Sequence, residues 1–123
     1  MKYKILIIDD QEITRALCRR FLGEDQFEFI EAGHALVALD LLKEHKNIDL
    51  IICDIGLPGM SGLEFCAHKA KMESYAAVPV IALTGDHSQE SMEKGKSVGI
   101  HVWLCKPFSR REFINAVQGI LNI

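Results

Sequence analysis

The chain has 123 residues, 49% of them hydrophobic, with a formal net charge of −3. That is enough apolar material for one unstapled core, so a single domain over residues 1–123 is expected. Dispersed Lys and Arg on an acidic total exclude a basic stripe for nucleic-acid backbones, and direct nucleic-acid binding is not expected.

No stretch approaches the ~20 apolar residues that a membrane span needs, and no cleavage site of a signal peptide follows Met-Lys-Tyr-Lys. Cys18, Cys53, Cys66 and Cys105 contain no C-x-x-C pair, and Cys53 and Cys105 end apolar runs as small hydrophobes. A reduced, cytoplasmic setting away from membranes is the expectation.

In chain order, the first element is a short apolar run, Ile5 to Ile8, followed by helical spacing at Ile13, Ala16, Leu17 and Phe21. Phe27 to Glu31 alternates with charge and reads as an edge strand. Leu36, Leu39 and Leu42 mark a second helix, and Leu50 to Cys53 a third strand. Ser61 with Glu64 has the spacing of a capping box before a third helix. Val80 to Leu83 follows, then a weak helix over about 87–98, loosely capped by Asp86 with Gln89 and weakened by Gly95 at a cost of about 1 kcal/mol. Val102 to Cys105 is the last strand, and Ser109 with Glu112 caps a final helix with Phe113, Val117, Ile120 and Leu121 on one face. Four-residue apolar runs suit strands buried on both faces, and their alternation with helices implies a doubly wound, parallel α/β sheet.

In such sheets ligands bind beyond the carboxyl ends of the strands, where strand order reverses. The residues at those ends are Asp9 and Asp10, Asp54, Thr84 and Lys106. Singly, each has a plainer reading: a helix cap, a turn, a solvated cation. Together they point to a cation, because carboxylates about 4 Å apart repel by about 4 kcal/mol at an effective dielectric of ~20. Lys106 supplies one charge, and an all-oxygen set suits Mg²⁺ with phosphate oxygens. Around such an ion a carboxylate can act as nucleophile and form an acyl phosphate.

Asp9-Asp10, Asp54 with the following run Ile55 to Gly62, Thr84-Gly85 and Lys106-Pro107-Phe108 together resemble the receiver domain of two-component response regulators, over essentially the whole chain. The resemblance implies a flavodoxin-like, chemotaxis-receiver-like fold with five parallel strands in the order 2-1-3-4-5 and five helices. It implies Asp54 as phosphoacceptor, with Mg²⁺ held by Asp10 directly, by Asp9 largely through water, by Asp54 and by the Gly56 backbone carbonyl. Thr84 and Lys106 would bind the phosphoryl oxygens, and Lys106-Pro107 would be cis. The implied partners are a histidine kinase or histidine phosphotransfer protein, docking at Gln11, Ile13, Thr14, Leu17 and the Pro107-Phe108 loop, and a downstream protein or output domain. The implied state is a monomer or a weak, phosphorylation-dependent dimer.

Three positions depart from the family pattern. Trp103 stands where the family's aromatic switch is usually Tyr, Phe or His, Gly85 follows Thr84 in place of a small side chain, and His101-Val102 replaces a frequent acidic pair. Trp103 reads either as a switch with Thr84, given room by Gly85, or as a fixed packing residue on the fourth helix. Gly56 and Asp86 flank the phosphoryl position and are expected to tune its lifetime. None of His34, His45, His68, His87 and His101 has metal or phosphotransfer spacing.

Three other functions fit less well. A haloacid-dehalogenase-type phosphatase needs a second Asp two residues after the nucleophile, where this chain has Gly56. A nucleotide or flavin carrier lacks its Gly-rich loop after the first strand. A receiver that has lost phosphorylation would not need Asp54, Thr84 and Lys106 together.

Overall fold

The computed structural model describes residues 1–85 and 88–123. Strands and helices alternate as β1 (Tyr3–Ile8), α1 (Glu12–Leu22), β2 (Phe27–Ala32), α2 (Ala35–Glu44), β3 (Leu50–Asp54), α3 (Gly62–Ala70), β4 (Val80–Thr84), α4 (Gln89–Ser97), β5 (Ile100–Cys105) and α5 (Arg110–Leu121). The strands form one parallel sheet in the order β2-β1-β3-β4-β5.

The three inner strands are apolar on both sides because helices cover both. Leu6, Ile8, Ile51, Cys53, Val80 and Ala82 face α2 and α3 in one core. Ile5, Ile7, Leu50, Ile52, Ile81 and Leu83 face α1 and α5 in the other. Residues alternate between the two cores along each strand, so a slip of one residue would exchange them.

Several boundaries differ from expectation for local reasons. The last strand begins at Ile100 and lies at the sheet edge, with Cys105 exposed rather than packed. Its pairing skips His101: Val80 faces Ile100 but Ile81 faces Val102, a bulge that turns His101 out to solvent. In α1, Ile13 is 84% exposed, and Cys18 is the buried residue. In α2 the buried positions are Ala35, Ala38 and Leu42, while Leu36 is exposed. Small alanines let α2 lie close on the sheet and rotate the leucine stripe partly outward.

Both expected capping boxes form, at Ser61–Glu64 and Ser109–Glu112. Helix α4 is capped by Ser88, whose hydroxyl accepts the Ser91 N–H. The roles read for Asp86 and His87 lie outside the described residues.

Candidate functional site

The strand order reverses between β1 and β3, and the carboxyl ends of these neighbours carry Asp9 and Asp54. Asp9 follows β1, Asp54 ends β3, and both are buried; Asp10 is exposed beside them. One carboxylate oxygen from each of Asp9, Asp10 and Asp54 lies within 4.8 Å of the others. Among the described residues this is the one grouping of three or more His, Cys, Asp or Glu that could hold a metal ion. Its donors are all hard oxygens, the chemistry that fits Mg²⁺ and not a thiophilic metal.

Lys106 reaches this cluster from the end of β5. Its Nζ donates to Asp9 Oδ2 at 2.9 Å and stands 3.4 Å from Asp54 Oδ2. Burial pulls the ammonium pKa down, but the hydrogen bond to Asp9 and the negative charge of Asp54 outweigh it, so the net shift is upward. Lys106 is therefore held charged. Its main-chain N–H donates to the Thr84 carbonyl at 2.9 Å, joining the ends of β4 and β5, and the Lys106-Pro107 bond is cis.

The loop after Asp54 is shaped by its own hydrogen bonds. The Gly56 N–H donates to Asp54 Oδ1 at 3.0 Å, and the Gly62 N–H to the Ile55 carbonyl at 3.1 Å. Gly59 turns the loop with φ of 74°, beside the His34 ring that caps α2. A Cβ on Gly62 would overlap the Asp54 carbonyl and come within 2.8 Å of Ile55 Cα. Close approach of backbone to backbone is thus why glycine opens α3.

Thr84 ends β4, buried next to Gly85. Among the described residues beyond its chain neighbours, nothing lies within 4 Å of a Cβ built on Gly85, Trp103 included. The indole lies against Gly95 of α4, where an added Cβ would overlap its ring and come within 2.9 Å of Cη2. Gly95, read from sequence as a weak point of the helix, is the seat of Trp103. Packing on α4 is one of the two sequence readings of Trp103, and a switch with Thr84 remains a matter for the proposed function.

Sequence reasoning missed Arg15. Its Nη1 donates to the Asp9 carbonyl at 2.6 Å and its Nε to Glu31 Oε1 at 3.0 Å. A basic residue in the first helix gives no sign in the sequence of which way it points. Lys69 was also unforeseen: it is buried in α3, with Nζ donating to the Ala76 carbonyl at 3.2 Å, and burial lowers its pKa.

Comparison with known proteins agrees with this geometry. Residues 5–118 match the response regulator receiver domain family. The polar-differentiation response regulator DivK of Brucella anthropi is 32% identical over 99% of this chain and 98% of its own length. The chemotaxis protein CheY4 of Vibrio cholerae superposes with a TM-score of 0.92 at 30% identity, covering 98% of this chain and all of that one. The receiver domain of the sensor histidine kinase PA1611 of Pseudomonas aeruginosa, solved with a magnesium ion in its active site cleft, has the same fold: TM-score 0.87, 23% identity, full coverage of both chains. The chain belongs to the response regulator receiver domains, signalling modules of two-component phosphorelays rather than classical enzymes.

Proposed function

We propose that this receiver is switched by transfer of a phosphoryl group onto Asp54 from a phosphohistidine of a histidine kinase or histidine phosphotransfer protein. The observation that carries the reading is Lys106 Nζ lying between Asp9 and Asp54 in a cluster of three carboxylates. In the transfer an Asp54 oxygen bonds to phosphorus while the P–N bond breaks, and its electron pair leaves on the imidazole nitrogen. The Gly56 N–H on Oδ1 and Lys106 beside Oδ2 hold the carboxylate in place for that attack. Asp9, Asp10, Asp54 and the Gly56 backbone carbonyl would hold Mg²⁺, which when bound supplies neutralisation of the phosphoryl charge.

Afterwards Lys106 and the Thr84 hydroxyl bind the new phosphoryl oxygens. Charged hydrogen bonds are worth roughly 1.5–3 kcal/mol each, and together they approach the about 5.5 kcal/mol that moves a switch from 1:99 to 99:1. Thr84 and Trp103 form the switch, and the α4-β5-α5 face carries the change to a downstream protein or output domain. The phosphodonor docks at the groove of about 350 Å³ lined by Thr14, Leu17, Pro107 and Phe108, which opens beside Lys106. The chain works in the cytoplasm as a monomer or weak phosphorylation-dependent dimer, catalyses only its own phosphorylation and dephosphorylation, and does not itself contact nucleic acid. No helix among the described residues is long and apolar enough to cross a membrane.

The test is intact mass after incubation with a small phosphodonor. One base-labile phosphoryl group should appear with Mg²⁺ and not without it, and equal labelling in both would overturn the metal's part. Asp10→Ala should remove most of the thermal stabilisation that Mg²⁺ gives the wild type by mass action. Beryllofluoride with Mg²⁺ should shift Trp103 emission in wild type but not in Thr84→Ala; a shift in both separates Trp103 from the switch.

A further inference from the structure

Every polar atom of Asp9 is engaged. Its N–H donates to the Ala32 carbonyl at 3.1 Å, Oδ1 accepts the Gln11 N–H at 2.9 Å, and Oδ2 accepts Lys106 at 2.9 Å. The fourth atom is the main-chain carbonyl, and it accepts Arg15 Nη1 at 2.6 Å. This carbonyl belongs to the peptide that joins Asp9 to Asp10, so whatever holds it sets where the exposed Asp10 carboxylate stands.

Arg15 is itself held. Its Nε is 3.0 Å from Glu31 Oε1, near the end of β2, and the guanidinium passes beside Gly33, where a Cβ would lie 3.4 Å from Nη1. Arg19 reaches the same Glu31 oxygen at 2.5 Å and steadies it from the next turn of α1. The chain of contacts runs from β2 through Glu31 and Arg15 to the Asp9-Asp10 peptide.

We infer that Arg15 is a positioning residue for metal binding: by holding the Asp9 carbonyl it fixes the peptide that presents Asp10 to the cation. Outer partners of this kind typically change metal affinity by about 10–100-fold when removed. The inference rests on the metal site of the proposed function, and the sign of the effect separates positioning from charge. Arg15 is a cation bonded to the main chain of Asp9, so by loss of Coulomb repulsion alone its removal would strengthen Mg²⁺ binding. Loss of positioning weakens it.

The experiment is Mg²⁺ titration by calorimetry of wild type, Arg15→Ala, Arg15→Met and Arg19→Ala, with amide chemical shifts of the metal-free proteins. Arg15→Met keeps an apolar stem against α1 and serves if the alanine variant does not fold. The expected result is a Kd for Mg²⁺ raised about tenfold or more in the Arg15 variants, with amide shifts centred on residues 9–11. Arg19→Ala loses the same ion-pair partner without touching Asp9 and should stay within about twofold of wild type, below the range such outer partners give. An unchanged or lowered Kd in Arg15→Met overturns the inference, as does a fall in thermal midpoint alone, which is what a merely structural ion pair gives. A wild type that does not bind Mg²⁺ would instead remove the metal site on which the inference stands.

Discussion

Two glycines that look alike in sequence do different work. At Gly62 the space for a Cβ is taken by the backbone of Asp54 and Ile55, which cannot move without shifting Asp54 itself. Gly62→Ala should therefore cost about 1–3 kcal/mol, the range of overpacked sites, measured by denaturant unfolding. At Gly95 the obstruction is mainly the Trp103 ring, a side chain that can swing aside. Gly95→Ala should gain about 1 kcal/mol of helix propensity against the lost packing, leaving stability little changed while the emission of the chain's single Trp shifts. Unchanged emission would mean that the indole is not seated there. The pH behaviour of Lys106 is likewise set by its neighbours. Its folded-state pKa stands above the ordinary 10.5, so its pairing with Asp9 and Asp54 stabilises fully below pH 10.5 and is lost as the pH rises through the folded value. The stability difference between wild type and Lys106→Met should accordingly stay constant from pH 7 to 9 and change only in the strongly alkaline range.

At the scale of elements, the inner strands were legible because Ile and Val runs with no polar face have few other places to go, and the boxes at Ser61 and Ser109 because capping is a local affair. Helix faces were less legible. Periodicity scores Leu36 above Ala35, yet close packing of α2 on the sheet selects the alanines, and Leu36 is left 55% exposed while Leu42 is 2% exposed. Leu42→Ala should then cost about 2–5 kcal/mol and Leu36→Ala less than about 1 kcal/mol, both read by thermal or chemical unfolding. Similar losses at the two positions would restore the leucine stripe as the buried one. Packing of Trp103 on the fourth helix was one of two sequence readings, but its seat at Gly95 and the β5 bulge were hidden for a different reason: both depend on contacts between neighbouring elements, which no local pattern encodes.

At the scale of the molecule, four strand ends from distant parts of the chain are brought to one rim by right-handed crossovers, so that Asp9, Asp10, Asp54, Thr84 and Lys106 could be named together from sequence. Their convergence is a consequence of topology. The Arg15 brace is not, since it depends on the rotamer of a long side chain reaching across from α1. The proposed function places phosphotransfer on one carboxylate of the cluster, Asp54, and that is its central claim. The most direct measurement is intact mass and peptide mapping of wild type and Asp54→Asn after incubation with a small phosphodonor and Mg²⁺. Wild type should gain one base-labile phosphoryl group on the peptide that contains Asp54, and Asp54→Asn none; equal labelling of the variant, or label on Asp9 or Asp10 in the wild type, would contradict the assignment.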